Sequence, residues 1–295
     1  MKLFSLITGL IVIILFAGCS GPKITTSPLI SNKTIAEKEM AAGNYAQAVN
    51  SWKLYFSQTP IEQTTGDEFA QAAQSAFKSG DQTQSVNWFD QARYKNFSNA
   101  EMYLTLAKIY NSQQNISKEL SALEYYKSNF NENLSEVNER LYQINFEIKM
   151  FDKALLSWAE MDENSKNEIS NLKTYFKINK AMENTAVCDS LSLAILDKET
   201  ANVDALEWNG NKYYWLGENR YQLEIEKYNK NKTNKQYKIL LTELDLATAD
   251  FKKALPFFEK LWKIEPGEKY ASYMANIYAR FGDESKVDYY RKFMK

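Results

Sequence analysis

The amino-acid sequence predicts an all-α fold built from a repeated pair of helices, and three observations lead to this prediction. Apolar residues recur at helical spacing along the chain, as at Tyr103, Leu106 and Tyr110. Helix breakers are scarce, because 10 glycines and 5 prolines in 295 residues are too few for the turns of a sheet sandwich. The same combination of turn residue, small residue and aromatic residue returns at intervals of 32 to 37 residues.

The first thirty residues predict export and a lipid anchor. Lys2 precedes an apolar run over residues 3–17, which is shorter than the ~20 residues that a helix needs to span a bilayer. Leu15-Phe16-Ala17-Gly18-Cys19 is similar to the cleavage box of bacterial lipoproteins, in which the cysteine receives lipid and becomes the first mature residue. We expect a lipoprotein signal peptide at 1–18, followed by lipidated Cys19 and a flexible tether at 19–31. Ordinary secretion with a free Cys19 is the alternative.

The stretch from Gly43 to Pro60 is the clearest copy of the repeated unit. Gly43 can end one helix without a side-chain penalty, and Pro60 stops the next. Between them Ala48 and Trp52 are four residues apart and therefore share one helix face. The small residue lets a neighbouring helix approach closely, and the aromatic residue fills the space beside it.

Eight positions, Gly43 included, fall at the same place in the repeated unit, which predicts eight helix pairs within 32–295. They are Gly43, Gly80, Gln114, Lys149, Glu183, Gly217, Ala249 and Gly282. Some copies depart from the pattern, because Glu119 and Gln222 occupy positions where a small residue is expected. An irregular all-helical protein with hairpins of similar length remains the alternative.

The period and the pattern resemble the tetratricopeptide repeat, whose unit of 34 residues is a helix, a turn and a second helix. A single pair buries too little apolar area to offset its conformational entropy, so copies must stack. The resemblance implies a right-handed α-solenoid of about seven to eight repeats. After the fourth pair, the polar segment 162–168 is expected to be a surface connection, and the fifth pair is expected at 172–182 and 186–196.

The segment 203–230 allows two interpretations. Either Gly217 divides it into a short pair, or one helix runs through it and 231–234 forms the turn. We favour the long helix, because no proline forbids it and an isolated glycine costs only about 1 kcal/mol. The lysines that follow, from Lys227 to Lys238, are expected to be a solvated basic turn, with contact to anionic headgroups or a partner as the alternative. Regular pairs are expected to resume at Tyr237 and to end with 269–280 and 284–293.

Composition argues against several classes of function. The chain has no histidine, which removes the usual general base and most zinc sites, and only Cys188 remains as a thiol once Cys19 is acylated. We expect Cys188 to have a buried packing role. Lys plus Arg number 36 against 37 acidic residues, so no field favours nucleic acid. The prediction is therefore a chain without catalysis, cofactor or metal.

The resemblance also implies a concave groove, lined by the first helix of each pair, that binds a peptide. Carried onto this chain, its inward positions are Lys108, Asn111, Glu136, Glu139, Gln143, Phe146, Lys173, Lys177, Lys180, Glu207, Asn211 and Tyr214. Lys173, Lys177 and Lys180 form a basic stripe suited to a carboxylate or an acidic segment, although such lysines also serve solubility alone.

Together these features predict a membrane-anchored, non-catalytic scaffold that binds a protein partner in a bacterial cell envelope. With Ser20 directly after the cysteine, the sequence resembles lipoproteins that are sent to an outer membrane. In that location the repeat domain would face the periplasm. By analogy with other lipoproteins built from this repeat, the chain would belong to an assembly or transport complex. The alternative is a cell-wall glycan hydrolase that uses Glu207 with Glu136 or Glu139.

Overall fold

A computed structural model of the protein describes residues 31–294. All regular structure in this range is helical, with fifteen α-helices and one short 3-10 turn at Ile61–Gln63. The all-α fold is therefore confirmed. None of these fifteen helices combines the length and the apolar character that a bilayer span requires. The predicted signal peptide and Cys19 lie outside the described residues, as does the tether up to residue 30.

The chain forms two compact units that divide between Thr105 and Leu106. The first unit contains two helix pairs and the beginning of a third. Its helices are α1 (Asn32–Ala41), α2 (Tyr45–Gln58), α3 (Gly66–Lys78), α4 (Gln82–Tyr94) and the first half of α5 (Ala100–Ser112). Within this unit Glu68 closes a capping box with Thr65 and also accepts hydrogen bonds from Lys33 of α1 and Tyr55 of α2, which ties three helices together.

The second unit continues from α5 with further pairs. Its remaining helices are α6 (Ile116–Asn129), α7 (Leu134–Glu147), α8 (Phe151–Ala159), α9 (Glu163–Asn167), α10 (Ile169–Ala181), α11 (Thr185–Lys198), α12 (Val203–Lys230), α13 (Asn234–Ile264), α14 (Glu268–Phe281) and α15 (Glu284–Arg291). The five-residue α9 occupies the segment that the sequence predicts as a surface connection. Residues 31–294 thus form seven consecutive pairs, of which α12 and α13 make the longest.

Six of the eight predicted turn positions are confirmed by backbone conformation. A residue with positive φ commonly ends a helix, and glycine is the usual occupant. The six positions with positive φ are Gly43, Gly80, Gln114, Lys149, Glu183 and Gly282. Three of them carry side chains in the left-handed region, which explains why glycine alone is a poor marker of these turns.

Of the other two positions that match the repeat, Ala249 is wrong as a turn, because it lies inside the long helix α13, and Gly217 lies inside α12. The preferred interpretation of 203–230 as one helix is confirmed, and the predicted sixth and seventh pairs merge into one hairpin. Gly217 has a packing role instead of a turn role. A Cβ atom there would lie 3.0 Å from the Ala247 carbonyl oxygen and 3.2 Å from the Phe251 ring, so glycine allows the two helices to approach closely.

The small-residue positions of the repeat are buried as predicted. Ala48, Ala154 and Ala254 are fully buried, and Trp52 fills the adjacent aromatic position. Cys188 is also fully buried, and burial raises the pKa of its thiol. Its Sγ lies 3.9 Å from the carbonyl oxygen of Phe176, which confirms the predicted packing role.

Candidate functional site

A pocket of about 390 Å³ opens in the second unit between the end of α10, the start of α11 and the middle of α12. We call it the α12 pocket. Three predicted groove residues, Lys180, Glu207 and Asn211, line it. The complete lining is Lys180, Thr185, Asp189, Glu207, Trp208, Asn211, Lys212 and Trp215.

Two tryptophans of α12 supply the apolar wall of this pocket. Trp208 and Trp215 are seven residues apart, which places them two turns apart on one helix face. Trp208 meets the ring of Phe176 edge-on, with centroids 5.7 Å apart. Trp215 remains 50% exposed and stands edge-on to Tyr214. An exposed indole at the edge of this pocket is suited to contact with an apolar side chain of a ligand.

Asp189 fixes one side of the pocket. Its carboxylate accepts a hydrogen bond from Trp208 Nε1 at 2.9 Å and another from Lys212 Nζ at 2.7 Å. Burial acts to raise the pKa of Asp189, but donation by Lys212 and Trp208 outweighs it and the pKa is lowered. The carboxylate is therefore ionised at neutral pH, where it neutralises Lys212 and holds the Trp208 indole in place.

Glu207 is held from the opposite side by α14. Its carboxylate accepts hydrogen bonds from Lys269 Nζ and from the Tyr270 hydroxyl. Burial acts to raise the pKa of Glu207, yet these two donors outweigh it and the pKa is lowered. A glycosidase general acid needs a raised pKa, so Glu207 is poorly suited to that role.

The carboxylates of the glycan-hydrolase alternative have separate partners. Glu139 of α7 accepts hydrogen bonds from Asn171 at 2.7 Å and from Ser165 at 3.3 Å. Glu207 is bound to α14, as described above, and Glu136 is exposed on α7. Neither Glu136 nor Glu139 lines the α12 pocket, so the pocket does not bring together the pair that a hydrolase would require.

Two polar groups in the α12 pocket make no hydrogen bond or salt bridge to the described part of the chain. Lys180 is exposed and forms no salt bridge with any residue of 31–294, and its charge helps to lower the pKa of Glu207 across the pocket. The Asn211 Oδ1 atom is buried and accepts no hydrogen bond within the same range. A buried amide oxygen without a donor is costly unless a ligand or water satisfies it. The pocket thus offers a cation and an acceptor beside an exposed indole.

The predicted basic stripe is only partly available. Lys173 Nζ lies 2.9 Å from Glu199, and Lys177 Nζ lies 3.9 Å from Asp204. Both acids belong to the segment that leads into and begins α12, so these lysines contact the next pair. Lys180 alone faces the pocket, and a joint role of the three lysines in partner binding stays a prediction.

The remaining predicted groove residues do not line the α12 pocket. Asn111 donates to Glu119 at 3.0 Å, and Gln143 accepts from Arg140 at 3.3 Å. Lys108 is exposed on α5. Phe146 and Tyr214 are packing residues: Phe146 stacks on Phe151, and Tyr214 is only 4% exposed, with its hydroxyl accepting from Asn276.

Sequence reasoning missed Trp208, Trp215, Asp189 and Lys212 as members of the site. The aromatic residues of α12 are visible in the sequence, and their seven-residue spacing with Asn211 and Lys212 between them is a usable signal for one mixed face. Asp189 carries no such signal, because it comes from the preceding helix.

The first unit also contains a pocket, of about 500 Å³. Its lining combines Phe56 and Trp88 with amide and hydroxyl side chains, and its one carboxylate, Asp90, is paired with Arg93. No predicted site residue lies there. Among the described residues no group of three histidine, cysteine or acidic side chains is placed to hold a metal ion.

Seven consecutive helix pairs, six of which turn at a residue with positive φ, define an α-solenoid within the described residues. No protein-family model matches the chain, and neither does any curated protein.

Several solved structures are similar to the chain. A Bacteroides ovatus protein to which protein binding has been ascribed is 19% identical, with 76% of this chain and 100% of that chain covered and a TM-score of 0.49. The C-terminal part of a repeat-containing protein from Cytophaga hutchinsonii is 11% identical, with coverage of 89% and 93% and a TM-score of 0.45. A tetratricopeptide repeat protein from Parabacteroides merdae is 11% identical, with coverage of 88% and 90% and a TM-score of 0.44.

Proposed function

We propose that this chain is a lipid-anchored, non-catalytic scaffold of a bacterial cell envelope that holds an extended segment of a partner protein in the α12 pocket. One observation carries the binding proposal: within the described residues Lys180 forms no salt bridge and the buried Asn211 Oδ1 accepts no hydrogen bond, and both line the pocket beside the half-exposed Trp215. The other charged groups of the pocket, Asp189 and Glu207, are already neutralised by Lys212 and Lys269.

The chemistry of these groups suits a short acidic peptide segment with an apolar side chain. A ligand carboxylate pairs with Lys180, and a peptide N–H donates to Asn211 Oδ1. An apolar side chain packs against the Trp215 ring. Asp189 and Glu207 are unsuited to receiving a second cation, because each already accepts from a lysine and a second donor.

The envelope location rests on the sequence of residues 1–31. The short apolar run, the cleavage box ending at Cys19 and the Ser20 that follows support a lipid anchor in an outer membrane, with the repeat body in the periplasm. A place in an outer-membrane assembly or transport complex is the more specific form of the proposal, and it rests on analogy between lipoproteins of this repeat.

Photo-cross-linking in the native cell tests the binding proposal. A photoreactive amino acid at Thr185, which lines the pocket, should attach one partner that mass spectrometry identifies. Lys180→Glu and Trp215→Ala should each abolish that cross-link, because one reverses the charge and the other removes the apolar wall. Lys198→Glu and Leu193→Ala, exposed positions of α11 outside the pocket lining, are matched controls and should leave it unchanged. An undiminished cross-link in both pocket variants would overturn the proposal.

The anchor is tested separately. Cys19→Ser should move the protein from the membrane fraction to the soluble periplasmic fraction, because the acyl chains supply the attachment. Immunoblots of fractionated cells measure this redistribution. Lys2→Gln, which leaves the cysteine in place, should still give membrane-bound mature protein. Persistent membrane attachment of the Cys19→Ser protein would show a different anchor.

A further inference from the structure

The far end of the α12–α13 hairpin in the second unit carries a concentration of positive charge. The other paired helices have 8 to 14 residues, whereas α12 and α13 have 28 and 31. Within the described residues, the ion-pair and ring contacts of α12 with α14 end at Glu218 and Tyr221, which both meet Arg280. Residues 227–238, which we call the hairpin tip, lie beyond these contacts. The tip contains five lysines and no acidic residue, in a chain whose formal net charge is −1.

Most of the charge of the hairpin tip is not neutralised by salt bridges. Lys227 and Lys230 pair with Glu224 and Glu226, one turn earlier on α12. The other three lysines are exposed and form no salt bridge with any residue of 31–294; they are Lys232, Lys235 and Lys238. Exposed ammonium groups without a carboxylate partner are available to an external anion.

The acidic residues of the hairpin do not oppose an anionic ligand at the tip. The segments 217–226 and 239–250 contain six acidic residues, and five of them form salt bridges within the chain. The sixth, Asp245, lies eleven residues from Asn234 along α13, which corresponds to about 16 Å at the helical rise. The Debye length at physiological ionic strength is about 8 Å, so Asp245 is screened from the tip.

Aromatic and aliphatic side chains adjoin the lysines at the start of α13. Tyr237 is 47% exposed, and its ring lies 5.7 Å from the ring of Tyr228 across the hairpin. Ile239 and Leu241 are 41% and 46% exposed. Exposed tyrosine and aliphatic residues beside lysines are typical of segments at a membrane surface, because the apolar groups enter the interface while the ammonium groups meet the lipid phosphates.

The positions of the tip lysines suit a broad surface. They are distributed over the end of α12, the turn at 231–233 and the first turns of α13, and so do not form a stripe on one helix. We propose that the hairpin tip binds an anionic phospholipid surface, with Lys232, Lys235 and Lys238 against the lipid phosphates. The inference goes beyond the scaffold function and does not depend on the α12 pocket having a ligand. It uses the proposed lipid anchor only as the reason for a bilayer close to the protein.

Contact at the hairpin tip limits the distance between the α12 pocket and the bilayer. The pocket and the tip share one helix, because α12 runs without interruption from Val203 to Lys230. Trp215, at the edge of the pocket, lies fifteen residues before Lys230, which corresponds to about 22 Å along the helix axis. A partner segment in the pocket is therefore held within about 22 Å of the lipid headgroups.

Fluorescence energy transfer between the hairpin tip and the bilayer tests the proposal. The full-length protein with Asn234→Cys is purified in detergent, labelled with a maleimide donor dye and reconstituted into vesicles that carry an acceptor dye on lipid headgroups. The dye reacts at position 234, because Cys188 is fully buried and Cys19 of the anchored protein is acylated. Transfer should be high with phosphatidylglycerol in the vesicles and low with phosphatidylcholine alone. It should fall to the low value at ~1 M salt, where the Debye length is ~3 Å.

Variants of the tip lysines show whether their charge is responsible. Reversal of three charges should reduce transfer in the anionic vesicles to the value in neutral vesicles; this variant combines Lys232→Glu, Lys235→Glu and Lys238→Glu. Arginine at the same three positions should keep transfer high. The matched control reverses three exposed lysines elsewhere on α13 that also form no salt bridge within the described residues, and it should keep transfer high; it combines Lys252→Glu, Lys260→Glu and Lys263→Glu.

The anchor and the tip contact give separate results. Release of the protein from phosphatidylcholine vesicles would overturn the anchor, and binding to the anionic vesicles alone would then support the tip contact. Equal transfer in neutral and anionic vesicles, as a solvated turn would give, overturns the proposal, as does unchanged transfer in the charge-reversed tip variant. Low transfer in both kinds of vesicle, together with a cross-link from position 234 to an acidic protein in the cell, overturns it in favour of a protein contact.

Discussion

Glu119 shows how a single residue can break the sequence pattern without breaking the fold. It occupies a position where the repeat expects a small residue, yet it is only 2% exposed. Arg140 of α7 donates to both of its carboxylate oxygens, at 2.6 and 3.0 Å, and Asn111 donates at 3.0 Å. The sequence does not reveal this solution, because Arg140 lies 21 residues away on the next pair.

Removal of Arg140 should therefore destabilise the second unit more than removal of both partners. We expect Arg140→Ala to lower the free energy of unfolding by about 2–4 kcal/mol, because it leaves the buried Glu119 carboxylate without its ion-pair partner and with Asn111 as its remaining donor. Arg140→Ala combined with Glu119→Ala restores the small residue that the repeat prefers and should cost clearly less. Urea denaturation followed by circular dichroism measures both. A double variant as unstable as the single one would contradict this account.

At the same scale, the site is only partly predictable from the sequence. Lys180, Glu207 and Asn211 are found because the inward positions of a repeat fall at fixed offsets. Phe146 and Tyr214 occupy equally regular positions, but aromatic side chains there pack between helices instead of facing solvent. Whether an inward position is free depends on the partner that reaches it from another helix, as Lys269 reaches Glu207, and spacing along one helix does not encode that partner.

At the scale of helices, the repeat period predicts the positions of turns well, whereas single helix-breaking residues predict them less well. The turns at Gln114, Lys149 and Glu183 were predicted by the repeat period, although none of them is glycine. Gly217 falls at the repeat period although it lies inside α12, and the reason for a glycine there is a contact in three dimensions, the close approach of α12 to α13.

Gly217→Ala tests this account of the long hairpin. Alanine ordinarily stabilises a helix interior relative to glycine by about 1 kcal/mol. Here we expect a net loss of stability, because the added Cβ would lie 3.0 Å from the Ala247 carbonyl oxygen and 3.2 Å from the Phe251 ring. Asn219→Ala, at an exposed position two residues further along α12, is the control and should be neutral or slightly stabilising. Thermal unfolding measures both, and a raised melting temperature for Gly217→Ala would disprove close packing.

At the scale of the whole molecule, charge is balanced locally as well as in total. The 36 basic and 37 acidic residues leave a formal net charge of −1. Many carboxylates are engaged by donors, and several have lowered pKa values as a result. Glu199 owes its lowered pKa to Lys173. At Glu68, burial acts to raise the pKa, and the Lys33, Thr65 and Tyr55 donors outweigh it. The Ser135 hydroxyl and the backbone N–H of Ser165 lower the pKa of Asp162 to about 2.

These carboxylates determine how stability should depend on pH. A carboxyl group whose pKa is lower in the folded state contributes stability above its unfolded pKa, and that stability is lost as the pH falls through the folded pKa. The chain contains no histidine, so no side chain has an ordinary pKa between about 6 and 8. We therefore expect a flat free energy of unfolding between about pH 6 and 8, and a continuous decline from about pH 4.5 towards pH 2. Urea denaturation across this range measures the profile.

Glu68→Gln should be less stable at neutral pH and should lose less stability on acidification than the unmodified chain, because the side chain at position 68 no longer titrates. A step in stability between pH 6 and 8, or a maximum below about pH 4, would show that other groups govern the fold.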